Sequence, residues 1–262
     1  MGKALALADP APSWLRGVAL RAASSLIRNS GDYDDARKVG EECLAVYQAL
    51  SDEAGVSSAL MGLCVTAVAQ RDCHAALGFA EECRKLAERA GNRRRLGAVQ
   101  NSMGIALRCL GRRDDAVRKF TEAREIFAAL DDRRSTAAAL GNLAFVARQA
   151  GDLVESRRLY RESIALYVEI GLVEGQLDGL DGFGLLEIAE GRPAAGVRLL
   201  AVADRELRRL GVTPFVPDEI EDREAGWATA RAALGDELDE IVAAAGELPL
   251  GSVVDRLLNT EL

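Results

Sequence analysis

Cys64, Cys73, His74 and Cys83 place three thiols and the chain's single imidazole within a stretch of 20 residues, and these are the side chains that hold zinc. Structural zinc sites draw their ligands in pairs set about two to four residues apart. Here eight residues separate Cys64 from Cys73 and His74 from Cys83, a spacing that fits no such site. Cys64 and Cys83 fall where glycine, alanine or serine stands elsewhere in the chain, so they read as core packing. His74 reads as a turn residue facing solvent. One histidine also leaves a serine or cysteine nucleophile without a convergent base.

The other candidates resolve in the same direction. The run DGLDGFG, Asp178 to Gly184, lacks the third glycine and the preceding strand of a dinucleotide loop, and the alternating acids and closing Glu of a calcium loop. Gly182 and Gly184 read instead as helix-packing positions. The phosphate-loop pattern GxxxxGK[ST] occurs nowhere. Asp34–Asp35 and Asp114–Asp115 stand where helices open, and carboxylates there favour the positive end of the helix dipole. Arg93-Arg94-Arg95 has no interleaved aromatics and reads as a solvated loop between repeats rather than a phosphate contact. No catalytic, metal or cofactor constellation assembles, so the expectation is a chain that is not an enzyme and carries no cofactor.

Composition narrows the class. The chain has 262 residues, 49% hydrophobic and 28% charged, which suits a globular protein and not a disordered one. Abundant Ala, Leu, Glu and Arg with few aromatics favour helix. The net charge of −8 argues against nucleic acid as a partner. From Asp218 onward twelve acids face three arginines, a net of −9, which leaves the first 217 residues near +1. No run approaches the roughly 20 apolar residues of a membrane span, and MGKALALADPAP is too short for a signal-peptide core. Five cysteines without a CxxC point to reduced thiols and a cytoplasmic setting.

What remains is a repeat. GDYDDA at Gly31 returns as RDCHAA at Arg71, GRRDDA at Gly111, GDLVES at Gly151 and GRPAAG at Gly191, a constant step of 40. Three columns in this frame are small: Ala36, Ala76, Ala116, Ser156 and Gly196; Cys43, Cys83, Ala123, Ser163 and Ala203; Ser24, Cys64, Gly104, Ala144 and Gly184. Small residues at fixed helical positions let axes approach closely, while Leu20, Leu60, Leu140 and Leu180 fill the grooves beside them. Apolar stripes at the helical period, such as Leu140, Leu143, Ala144 and Ala147, give two helices per block and no strand. The expected fold is an all-α solenoid in which each unit buries its face on its neighbours.

The positions Leu140, Leu143, Ala144, Gly151, Asp152, Ser156, Tyr160 and Ser163 resemble the signature of the tetratricopeptide repeat (TPR). The resemblance covers about residues 4 to 205 and implies a right-handed superhelix of antiparallel helix pairs. Its period of 40 in place of the usual 34 implies longer helices, chiefly the second of each pair. The domain reading is a TPR solenoid over 1–212, about five and a half repeats, with an acidic helical cap over 213–262 in the same structural unit. Residues 191 to 258 are similar to the closing segment of large bacterial signalling proteins, in which a LuxR-type helix-turn-helix or a nucleotide cyclase accompanies a signal-transducing ATPase. Ala4 to Leu7 align with the second half of a helix, so the chain reads as beginning in mid-repeat. A piece of a longer protein fits this better than a poorly capped natural end. Leu5, Leu7 and the face near Trp14 are expected to expose apolar surface and to allow self-association.

In TPR arrays the first helix of each pair lines the concave face. Carried onto this frame, the groove residues are Arg21, Met61, Asn101, Gly141 and Asp181 in one column. Ser25, Val65, Ile105, Phe145 and Leu185 form a second, and Arg28, Val68, Arg108, Arg148 and Ile188 a third. Gln149 stands beside Arg148, and Asp178 adds an acid near Asp181. The carboxylate clamp of some TPR proteins does not assemble, because Met61 and Val65 occupy two of its places. Arg108 and Arg148 beside Ile105 and Phe145 would suit a partner bearing a carboxylate or phosphate. Pairing of both with neighbouring Glu, or with water, is the open alternative. The expected role is protein or peptide recognition as the regulatory part of a signalling or transcriptional regulator, with other domains of a parent chain among the expected partners. The alternative is a small-molecule sensor with its ligand enclosed in the groove.

Overall fold

A computed structural model describes residues 11–211 and 216–259. The expectations for Ala4, Leu5 and Leu7 lie outside these residues. Among the described residues thirteen helices follow one another: α1 (Trp14–Asn29), α2 (Tyr33–Ala49), α3 (Glu53–Ala69), α4 (Cys73–Arg89), α5 (Arg93–Cys109), α6 (Arg113–Ala129), α7 (Arg133–Gln149), α8 (Leu153–Glu169), α9 (Val173–Ala189), α10 (Pro193–Leu210), α11 (Pro217–Leu234), α12 (Glu237–Ala245) and α13 (Leu250–Asn259). Consecutive helices pair as in an α-solenoid, and no strand occurs among the described residues.

Local chemistry sets the rhythm. Helices α2 to α9 each have 17 residues and start 20 residues apart, so the 40-residue period is two equal halves. The extra length over an ordinary TPR is therefore shared by both helices, and does not sit chiefly in the second as the sequence suggested. Each of the turns from α1 to α10 holds one residue in the left-handed region, Gly31, Gly91, Gly111, Gly151, Gly171 and Gly191, with Ser51, Arg71 and Asp131 at the equivalent places, and Gly211 does the same at the end of α10. Glycine meets no steric penalty there, so it dominates helix ends. The next residue is an N-cap. Asp32, Asp52, Asp72, Asn92, Asp132 and Asp152 each accept a hydrogen bond from the backbone N–H three residues on. Arg93 to Arg95 form the opening turn of α5, capped by Asn92, rather than a loop. His74 is exposed, in the first turn of α4.

The small columns lie buried between helices. Ala36, Ala76, Ala116 and Ser156 have no exposed surface, nor do Cys83, Ala123, Ala203, Cys64 and Ala144. Where a column residue is polar it bonds across the helix pair: Ser24 Oγ donates to Ala36 O at 2.8 Å, and Ser156 Oγ to Ala144 O at 2.9 Å. Gly184 and Gly196 bring two backbones together, since a Cβ on either would press on the other's carbonyl oxygen. In the DGLDGFG run, Gly179 and Gly182 receive Ile164 and Tyr160, which supports the packing reading of its glycines.

Packing groups the chain into two compact units. One comprises residues up to Ile126 together with Val216 and Pro217; the other comprises Phe127 to Gly211 and the chain from Asp218 on. In the first unit Cys73, opening α4, and Cys109, ending α5, are joined by a disulfide with Cα atoms 6.3 Å apart. This corrects the expectation of reduced thiols for two of the five cysteines. The antiparallel helix pair brings together two positions 36 residues apart, which no short motif reveals. Cys43, Cys64 and Cys83 are buried thiols, and burial pushes Cys64 up to about 12, so it is no nucleophile. Trp14 and Leu15 are exposed on α1. No described helix is long and apolar enough to cross a membrane.

Candidate functional site

On the first unit, α1 carries Arg21 and Arg28, α3 carries Met61, and α5 carries Asn101, Ile105 and Arg108. Arg21 is exposed, and Arg28 is half-buried with its guanidinium donating to Ser25 Oγ at 3.1 Å. Burial lowers the Arg28 pKa, with Tyr33 opposing. Asn101 and Arg108 are half-buried. Met61 and Ile105 flank a buried cluster that includes Leu60, Cys64 and Val68, and Val216 inserts into it. Val216 lies outside the repeats, just before α11, so chain from the C-terminal region covers apolar surface assigned to the groove.

On the second unit, α7 positions Phe145, Arg148 and Gln149, and α9 positions Asp178 and Asp181. Four of these five meet α11 directly or electrostatically. Arg148 Nη1 donates to Asp222 Oδ1 at 3.2 Å while its Nη2 bonds Oδ2, a two-pronged guanidinium–carboxylate pair, and Gln149 Nε2 donates to the same carboxylate. The Arg148 guanidinium stacks over Phe145 at 5.3 Å. Burial works against the Arg148 charge, and Tyr160 and Asp222 more than restore it. Beneath it Tyr160 is pushed up to about 12 by burial, with Arg148 opposing.

The next residue reverses the sign. Arg223 Nε donates to Asp181 Oδ1 at 2.7 Å, and its Nη2 to Asp204 of α10. Burial raises the Asp181 pKa and Arg223 pulls it back. One turn on, Gly226 faces Leu185, where a Cβ would overlap the Leu185 methyl. Trp227, Ala230 and Leu234 then join Leu185 and Ile188 of α9, Val197 and Leu200 of α10 and Leu238 of α12 in one apolar cluster. These positions form a single stripe at the helical period, so α11 lies alongside α9 with 223 at 181 and 226 at 185.

Asp178 is the member without a cation among its named neighbours. Desolvation and the like charges of Glu219, Asp181 and Glu174 push it up to about 7. Its side chain remains exposed, so water screens part of that shift. Arg108 and Arg148, read from the sequence as one ladder, lie one in each unit. The residues that sequence reasoning missed are Asp222, Arg223, Asp204 and Gly226. The acidic tail opposite an arginine column was the available signal for Asp222, but the separation of 74 residues from Arg148 hid the pairing.

The profile of the tetratricopeptide repeat matches residues 95–169. Among curated proteins none matches the chain. Among solved structures, BtubC (BKLC) from P. vanneervenii superposes with a TM-score of 0.60 at 18% identity, over 76% of this chain and 85% of that one. A variant of a putative kinesin light chain with nearly identical TPR-like repeats, from Podosopora anserina, gives 0.56 at 16% identity over 75% and 96% of the two chains. Another structure of that protein gives 0.54 at 16% identity over 82% and 97%. At these identities the likeness is one of fold: a TPR-like α-solenoid. Tetratricopeptide repeats generally mediate protein–protein contacts.

Proposed function

We propose that the chain is a non-catalytic protein-interaction module, the regulatory TPR region of a bacterial signalling or transcriptional regulator. The observation that carries the interaction reading is the seating of an α-helix on α7 and α9 by Arg148, Gln149 and Asp181, side chains assigned to the groove from sequence alone. Helix-in-groove recognition uses this combination of apolar stripe and flanking charge pairs. The regulator assignment rests on the likeness of residues 191 to 258 to the closing segment of such proteins.

A small-molecule sensor is the second reading, and one feature favours it. A cavity of about 300 Å³ in the second unit is lined by Arg161, Arg198 and Arg256 and by Arg157, which pairs with Glu187 of the same lining, with Phe183 and Leu257 as apolar walls. Its net positive lining suits a small anionic ligand with an apolar body.

One experiment separates the two. Acidic helical peptides and phosphorylated metabolites are screened by thermal shift against the parent and an Arg148→Ala variant. The interaction reading expects peptides to stabilise the parent and to lose roughly 1.5–3 kcal/mol of binding when Arg148 is removed. Stabilisation of both proteins equally, or by metabolites alone, places the site elsewhere.

A further inference from the structure

Helix α11 sits on the second unit in the manner of a bound ligand. Among its 18 residues only Pro217 and Ala230 are buried, while much of the helix remains exposed. Its specific contacts are an acid held by Arg148 and Gln149, an arginine held by Asp181 and Asp204, and a glycine that admits Leu185. Beyond these come Trp227, Ala230 and Leu234 against Leu185 and Ile188. The face beneath is complementary to each position in turn: cation, then two acids, then a protruding methyl, then apolar surface.

We propose that α11 is a displaceable internal ligand, and that the α7–α9 face is a receptor for a partner helix of the same chemistry. That partner is a protein helix carrying an acid followed directly by an arginine, a small residue four positions after the acid, and a large apolar residue next to it. This rests on the interaction reading above and specifies its partner and its resting state: the face is covered by the chain itself until such a helix competes. The charge-assisted pairs supply register and specificity. Because α11 is tethered, it competes at the high effective concentration of an intramolecular ligand, so an external helix gains access only by matching its contacts or when α11 is weakened. The charge of Glu219 adds to the upward shifts of Asp178 and Asp181, so it opposes rather than supports this seating.

The test uses the full chain and a labelled synthetic peptide of residues 216–234. Amide hydrogen exchange of the parent is expected to show α11 opening at least tenfold faster than α7 and α9. Asp222→Arg places a cation on Arg148, so it is expected to speed α11 exchange a further tenfold or more and leave α7 to α10 unchanged. The Asp222→Arg chain is then expected to bind the peptide at least tenfold more tightly than the parent does, by fluorescence anisotropy. An Arg148→Asp, Asp222→Arg swap is expected to restore slow exchange. A peptide in which positions 222 and 223 are both Ala is expected not to bind. The proposal is overturned if α11 exchanges together with α7 and α9 in the parent, or if Asp222→Arg melts the whole unit. Equal peptide binding by parent and variant overturns it as well. If the opened chain instead binds helical peptides lacking the acid–arginine step, this recognition pattern fails while the interaction reading survives.

Discussion

Ala144 shows what a single side chain decides. It has no exposed surface and accepts at its carbonyl the Ser156 hydroxyl, at the point where α7 and α8 cross. Ala116 is equally enclosed in α6. Replacing either by Leu inserts three carbons at a position with no exposed surface, so each substitution is expected to cost on the order of 1–3 kcal/mol. Urea unfolding checks this; an unchanged midpoint would place these positions outside the crossings. Such residues were legible in the sequence because a column of Gly, Ala, Ser and Cys at one interval has no other physical cause. The partners of the charged residues were not. Arg148 offers the same five donors to a neighbouring Glu, to water or to a distant carboxylate, and only the fold selects Asp222.

Helix endings were partly open to reading from the chain, because a left-handed turn residue followed by Asp or Asn marks six of the boundaries chemically. The equal division into 17-residue helices was missed, since the mid-block turns closed by Ser51 and Asp131 carry no glycine to flag them. The disulfide between α4 and α5 was missed for a related reason: pairing follows from antiparallel geometry and not from cysteine spacing. By closing a 36-residue separation, Cys73–Cys109 restricts the unfolded chain and is expected to contribute about 2–4 kcal/mol to the first unit. Denaturant titration of the oxidised parent and a Cys73→Ser, Cys109→Ser variant measures it. The two are expected to converge when the parent is reduced, and equal midpoints before reduction would show that the bridge adds nothing.

At the scale of the whole molecule the charge is divided: a chain near neutrality through residue 217 and an acidic remainder. The fold brings part of that acid, Glu219, against the acidic end of α9, where it and Asp181 and Glu174 surround Asp178. Asp178 ionises near 3.8 when the chain is unfolded and is held protonated up to about 7 when folded. Between those values the folded state binds more protons than the unfolded one, so stability falls as pH rises through the window. Below about pH 4, near the ordinary carboxylate values, an opposite limb operates. Hydrogen bonds from arginines hold Asp72 and Glu81 below the usual carboxylate range, and the stability they contribute is lost on acidification. The expected profile is a maximum at mildly acidic pH and a decline toward neutrality, made shallower by water around the exposed Asp178. Asp178→Asn removes its charge without altering its size, and is expected to flatten most of the decline while the acid limb stays in place. A smaller remnant belongs to Asp181, which is raised by burial but opposed by Arg223. Guanidinium unfolding of both proteins at pH 5 and pH 7.5 decides the matter. If parent and variant lose the same stability between the two, Asp178 titrates as a surface carboxylate and the acidic tail does not press on α9.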